Sequence, residues 1–280
     1  KTAETALLFM QLIMRKLRRP PRPGRAAVIV PDGFLFGEGV GARVKEELLT
    51  NFNLHTIVRL PKGVFAPYTG IQSNLLFFDR SGPTKEIWYY EAPLPAGRKN
   101  YSKTAPMQYE EFADCLAWWK NRAENDRAWR IDFAEKYRKA RAEAEPHWEA
   151  AETADAKAKE LARAAKEIAD EIQRLKKPEI PLLKNTGESA RNEKELERIE
   201  AKRARLLAAE AEERERAKQE QVIGDGIYWP IFNLDIKNPS AKEDFEHLPP
   251  EQLADDILRK EQRIAELMVE IKQALVRGAV

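Results

Sequence analysis

Two stretches of this 280-residue sequence hold residue types that could do chemistry. Phe36-Gly-Glu-Gly-Val-Gly-Ala42 lies between an apolar run and a helical pattern, where free backbone N–H groups at a helix start can cradle an anion. Its details tell against a dinucleotide loop. The glycines are spaced G-x-G-x-G, the run starts well after the strand pattern ends at Val30, and the next strand pattern ends at Arg59-Leu60 without an acid to hold a ribose. A flexible turn is the better reading. The second stretch, Arg59 to Asn74 (RLPKGVFAPYTGIQSN), sets two cations, two aromatics and several hydroxyl and amide groups between two strand patterns. Loops on a rigid sheet are where binding residues concentrate. Phe65 and Tyr68 suit either binding or the filling of core. The histidines, His55, His147 and His247, are scattered, and no serine or cysteine has a partner arrangement that would make a nucleophile. His55, near the start of a strand pattern, suits a structural or surface role better than a catalytic one.

The elements that must position the loop follow from periodicity. Ala3 to Leu17 places Ala6, Leu7, Met10, Ile13, Met14 and Leu17 at helical spacing, and Pro20, Pro21 and Pro23 stop the helix. The unbroken apolar run Ala26 to Val30 predicts a strand buried on both faces of a parallel sheet. Val40 to Asn51 reads as a helix, Leu54 to Leu60 and Ser73 to Asp79 as strands, and Ile87 to Glu91 as a fourth. This alternation predicts an α/β fold with helices covering a sheet. Tyr109 to Ala123 predicts a further helix with Phe112, Cys115, Leu116 and Trp119 along one side. So apolar a first strand wants neighbours that little of the chain precedes it to supply, and the chain opens on Lys1 inside a helical approach, so the reading is that it begins in the middle of a domain.

Charge divides the rest. Lys and Arg number 48 against 46 Asp and Glu, a net charge of +2, which argues against a strongly polybasic nucleic-acid binder. Residues 134–220 are dense in Ala, Glu, Lys and Arg and poor in large apolar residues, which favours long exposed helices. Pro146 is expected to start or kink one of them, Lys177 to Gly187 to break the run, and helix to resume to about Gln221 with Leu196, Ile199, Leu206 and Leu207 as anchors. The pair predicts a helical hairpin or coiled-coil arm. An aromatic-proline segment, Ile227 to Asp235, leads to a last helix from Pro250 whose seam of Ile257, Ile264, Leu267, Ile271 and Leu275 wants a partner helix. The expected parts are 1–132, the later half of a sheet domain; 133–221, the charged arm; and 222–280, an aromatic segment and docking helix. A single cysteine excludes an intrachain disulfide, no His/Cys cluster has zinc spacing, no apolar run approaches the length of a membrane span, and the N-terminus lacks the basic-apolar-small layout of a signal peptide. The expectation is a reducing, cytoplasmic setting.

The runs RAAVIVPDGFLF, NLHTIVRLPKGVFAPYTGIQSNLLFF, IWYYEAPLP, YSKTAPM and NLDIKNP resemble, in that order, the modification (methyltransferase) subunit of type I restriction-modification systems, an N6-adenine DNA methyltransferase family. The resemblance runs from the first helix to about Trp129 and returns at Asn233 to Pro239. It implies a Rossmann-like methyltransferase sheet, of which this chain would hold the later half, and a mainly helical C-terminal region. The intact subunit would use S-adenosylmethionine to methylate a flipped adenine, flipping being needed because the target atom is buried in the duplex. The family's glycine-rich cofactor loop and its Asn-Pro-Pro-aromatic turn are not among these residues, so the fragment alone is expected neither to bind the cofactor nor to transfer methyl.

By the same resemblance Phe65 is similar to the aromatic that packs against the flipped base, and Pro31 and Asp32 end a strand beside that pocket. Arg59, Lys62, Tyr68 and Thr69 become candidates for contact with DNA or for shaping the pocket. The implied partners are DNA, a specificity subunit that docks on the C-terminal helix, and a restriction subunit. The arm is longer and more charged than the family leads one to expect, and could be a spacer, a docking surface or simply a solvated arm. The competing reading is a non-enzymatic helical protein that assembles a DNA-bound complex.

Overall fold

A computed structural model of the chain describes residues 4–95, 97–176, 186–240 and 250–277. Its sheet has five strands in the order β1-β3-β2-β4-β5: β1 Arg25–Pro31, β2 Asn53–Arg59, β3 Ser73–Asp79, β4 Glu86–Glu91 and β5 Ala128–Asp132. Only β2 and β4 pair in parallel; β1 with β3, β2 with β3, and β4 with β5 are antiparallel. The expectation of a parallel-sheet strand buried on both faces is therefore corrected at β1. Val30 is buried, but Arg25, Ala27 and Ile29 on the alternate positions are exposed. A five-residue apolar run fits a half-exposed strand as well as a buried one, because alanine costs little in either place. β5 was not foreseen; its five residues, Ala-Trp-Arg-Ile-Asp, are too few to establish a period.

Period-two alternation divides the core between the two faces of the sheet. On one face Leu54, Ile57, Leu76, Phe78, Ile87 and Tyr89 meet helices α1 (Thr5–Lys16) and α3 (Val40–Asn51). The apolar side read for α1 is borne out at Leu7, Met10 and Met14, all buried. On the other face Val58, Phe77, Trp88 and Tyr90 are covered by Cys115 and Trp118 of helix α4 (Ala113–Lys120). α4 is shorter than the helix foreseen, since Tyr109–Phe112 form a 3-10 turn before it, and Leu116 is exposed where Trp118 is buried. Burial raises the Cys115 thiol pKa to about 11, which leaves it a poor nucleophile.

Helices α5 (Phe133–Lys176) and α6 (Thr186–Tyr228) pair along the arm. Their seam on α5 is alanine: Ala140, Ala144, Ala151, Ala154, Ala158 and Ala165 are buried before Ile168 and Ile172. Small residues at three- and four-residue spacing give a helix pair a contact stripe without large side chains. Pro146 lies inside α5, which starts thirteen residues earlier, at Phe133. α6 continues past Gln221 to Tyr228, and its anchors Leu196, Ile199 and Leu206 are half-buried while Leu207 is exposed. The break foreseen from Lys177 to Gly187 falls mostly outside the described residues.

The aromatic segment at the end of α6 does not belong with the tail. Tyr228, Phe232 and Leu234 are buried in the core beneath the sheet, together with Phe133, the first residue of α5. The chain thus forms one unit of residues 1–240 and a second of 241–280. The second unit holds α7 (Pro250–Arg277), on which Ile257, Ile264, Leu267 and Ile271 are exposed. Among the described residues no helix is long and apolar enough to cross a membrane.

Among the described residues one charged side chain, Lys45, lies inside the core. Lys45 of α3 is fully buried, and its Nζ donates to the carbonyl oxygen of Leu35 at 2.6 Å. Burial lowers its pKa from 10.5 to about 8, partly offset by Glu38. Between those values the unfolded chain binds the proton and the folded chain does not, so stability rises with pH across the window and the cost is fully present below pH 8. The expected result is that urea unfolding shows the wild type gaining about 2 kcal/mol between pH 7 and pH 10 relative to Lys45→Met. Parallel pH profiles for the two proteins would contradict it.

Candidate functional site

Because β1, β2 and β4 all run the same way, their carboxyl ends open on one end of the sheet. Pro31–Asp32, the loop after Arg59 and the loop after Glu91 therefore converge, at the place where sheets of this kind hold ligands. Every site residue expected from the sequence lies on this end. They do not share one environment.

Asp32 opens the short helix α2 (Asp32–Phe36) just after Pro31. Its backbone N–H donates to Gln72 O at 2.9 Å, and its carboxylate accepts from Asn74 Nδ2 at 2.8 Å. Asn74 is fully buried, and its Oδ1 has no hydrogen-bond partner among the described residues. The sequence reading passed over it, since an asparagine inside an apolar strand gives no sign of facing a carboxylate 42 residues earlier. Arg59 is claimed within the chain. Its guanidinium pairs with Asp235 at 2.6 Å and donates to Ile236 O at 3.2 Å, with only 11% of the side chain exposed. It ties the 233–236 segment to the sheet end, as does Tyr89, whose hydroxyl donates to Leu234 O at 3.1 Å.

The loop itself is built of tight turns. Ala66 N donates to Gly63 O, and both Tyr68 N and Thr69 N donate to Phe65 O. Gly63 has φ +81°, and a Cβ there would fall 2.4 Å from Tyr101 O, so glycine is what lets the 99–101 segment close on this loop. Tyr101 N then donates to Lys62 O at 3.2 Å, while the buried Tyr101 hydroxyl donates to Glu111 Oε2 at 2.6 Å; burial and that bond raise its pKa to about 12. The closure leaves a concavity of about 510 Å³ lined by Lys62, Thr69, Lys99 and Asn100. Lys62 also borders a second hollow of about 400 Å³ with Gln72, Glu91 and Arg127. Lys99 was not foreseen, because Pro95 to Tyr101 carries no periodic pattern that would place it.

Phe65 is half-buried against the core formed by Val58, Leu60 and Tyr90, and does not line the concavity. Tyr68 stands on the loop tip, 92% exposed. Thr69 Oγ1 accepts from Ile71 N at 3.1 Å. His55, at the bulge in β2, has its Nδ1 within 2.8 Å of Thr56 Oγ1 and meets the edge of Trp119; burial, and secondarily Arg122, lower its pKa.

The glycine stretch is a helix junction. Gly37 N donates to Gly33 O, Gly41 N to Glu38 O and Arg43 N to Gly39 O, so these amides close the turn between α2 and α3 and are not offered to a ligand. A hollow of about 430 Å³ lies beside it, bounded by Phe36, Arg43, Trp229 and Phe232.

Residues 1–143 match the N-6 DNA Methylase family, and the chain belongs to that family. Its relatives include methylase subunits of type I restriction enzymes. It is 55% identical over 138 residues to the EcoEI methylase subunit of Escherichia coli, covering 47% of this chain and 28% of that protein. It is 35% identical over 120 residues to the EcoKI methylase subunit of Escherichia coli K12, covering 40% and 22%. A chain from a structure on complex assembly and conformational transition of the type I R-M system is similar at 27% identity with a TM-score of 0.50. That match covers 98% of this chain and 40% of the other, so it takes in the arm as well as the sheet. The chain spans less than a third of the length of the curated relatives it matches.

Proposed function

We propose that this chain is the later part of the catalytic domain, with the helical arm and a docking tail, of an adenine-specific DNA methyltransferase subunit in a type I restriction-modification complex. The observation that carries this reading is the convergence of Asp32, Lys62, Phe65, Thr69 and Lys99 on one end of a sheet in a chain of the N-6 DNA methylase family. The intact subunit would methylate the exocyclic N6 of an adenine turned out of the duplex, where the atom can be reached. S-adenosylmethionine supplies the electrophilic methyl. The amides of Gly37, Gly41 and Arg43 in the glycine-rich turn are closed on that turn and do not suit a cofactor loop, so other parts of the subunit would hold it.

In this reading Lys62 and Lys99 hold phosphates of the target strand from the concavity they share, with Thr69 and Asn100 as neutral donors beside them. The ring of Phe65, seated on the second core, offers a face against the flipped base. The pair Asn74–Asp32 fixes the end of β1 beside it. Leu8, Phe9 and Leu12 on α1 and Ile29 on β1 form apolar surface between 47% and 58% exposed, which supports a unit that packs against further protein of the same subunit. A specificity subunit on the α7 seam, a restriction subunit, DNA and a cytoplasmic setting complete the proposal.

The test uses a graft of residues 1–143 into the EcoEI methylase subunit in place of the stretch they match. Phe65→Ala and Phe65→Leu are expected to lower the turnover of methyl transfer at least tenfold with DNA affinity retained, and Phe65→Tyr to restore it. Leucine keeps the apolar burial, so loss in that variant separates a stacking ring from mere core filling. Full turnover in Phe65→Leu would remove the assigned role.

A further inference from the structure

The arm carries a second feature that the catalytic reading does not use. Lys194, Arg198, Lys202 and Arg205 of α6 are all exposed, at positions i, i+4, i+8 and i+11. At about 100° per residue they fall within a sector of about 80°, and at 1.5 Å per residue they form a straight row about 16 Å long. Five other cations of the arm are paired: Lys157 with Glu213, Lys159 with Asp155, Arg163 with Glu167, Lys176 with Glu200 and Arg214 with Glu210. Among the described residues none of the four in the row is in an ion pair. Arg198, Lys202 and Arg205 border a groove of about 610 Å³ against α5, lined also by Glu171 of α5 and Glu195 of α6.

We infer that this row is a DNA-backbone contact, so that the arm grips duplex at a distance from the base pocket. A duplex presents a phosphate charge about every 1.7 Å of its axis, and a straight line of four unpaired cations meets it without any base being read. The row has no exposed aromatic beside it of the kind that anchors protein interfaces, which favours phosphate over an acidic protein. The choice of DNA as partner rests on the function proposed above, but the contact is separate from the chemistry.

The test is the affinity of the 280-residue chain for a fluorescently labelled 30-base-pair duplex between 50 and 200 mM salt. It compares the wild type with K194E/R198E/K202E/R205E and with the milder set of four glutamines. Each lost phosphate contact is expected to reduce the slope of log affinity against log salt by about 0.9, so the glutamine variant should lose about 3 to 4 units of slope and bind at least tenfold more weakly at the lower salt. Helix content by circular dichroism should be unchanged, because all four side chains are exposed. An unchanged slope, or a variant that keeps DNA and instead releases an acidic protein, overturns the inference. The readout needs no methyl transfer. A chain that binds DNA through the row while the graft stays inert would overturn the catalytic reading alone, and an active graft with an unchanged slope would overturn the row alone.

Discussion

Phe232→Ala is expected to destabilise the first unit by about 3–5 kcal/mol, the range for deleting a buried aromatic ring from a packed core. Phe232 has no exposed surface. Its ring lies 5.2 Å from that of Tyr228, 5.9 Å from Trp229, 6.2 Å from Phe133 and 6.5 Å from Tyr137. These residues come from the end of α6, from the turn that follows it and from the start of α5, so one ring joins both arm helices to the sheet. Two residues on, Leu234 N donates to Leu35 O, the same carbonyl that accepts from Lys45. The Tyr228 hydroxyl donates to Glu46 of α3. Loss of the ring should therefore loosen the 233–236 segment as well, and with it the Asp235 partner of Arg59. Urea unfolding followed by tryptophan fluorescence reads the effect. A loss under about 1 kcal/mol would mean that the site can collapse around the deletion and that the arm is not anchored there.

K62E/K99E is expected to act on function with little change in fold, since Lys62 and Lys99 are exposed. In the EcoEI graft carrying residues 1–143, the double reversal should lower kcat/KM for DNA at least tenfold, chiefly through KM, and reduce the salt slope of DNA binding by about 2. Uniform binding lost without loss of turnover is the signature of groups that position the strand. A variant whose kcat falls while its KM and salt slope stay put would move these lysines from strand positioning to the chemical step. One that changes nothing would empty the concavity of its assigned role.

The pattern of what could be read from the sequence follows the range of the interactions involved. Helix α3 and strand β3 have the bounds expected, because each is set by its own periodicity and by a break beside it. The arm was legible for the same reason: alanine and charge at helical spacing need no knowledge of the partner. Strand direction was not legible. Ala26 to Val30 reads the same whether its neighbour runs with it or against it, and β1 proved antiparallel to β3. The site divides in the same way. Lys62, Phe65 and Thr69 could be picked out because one short loop carries them. Arg59 reads as a candidate for contact with DNA or for shaping the pocket, and its partner, Asp235, is out of sight because it lies 176 residues away in a segment grouped with the tail. Lys99 and Asn74 were missed because only the folded chain sets them beside Lys62 and Asp32.

The most direct test of the central claim is methyl transfer by the graft itself. Residues 1–143 replace the matching stretch of the EcoEI methylase subunit, the complex is assembled, and incorporation of labelled methyl into duplex DNA is measured, with the modified base identified after digestion. N6-methyladenine is expected at the recipient's own target sites, abolished by removing S-adenosylmethionine. A graft that folds, assembles and binds DNA yet leaves adenine unmodified would contradict it.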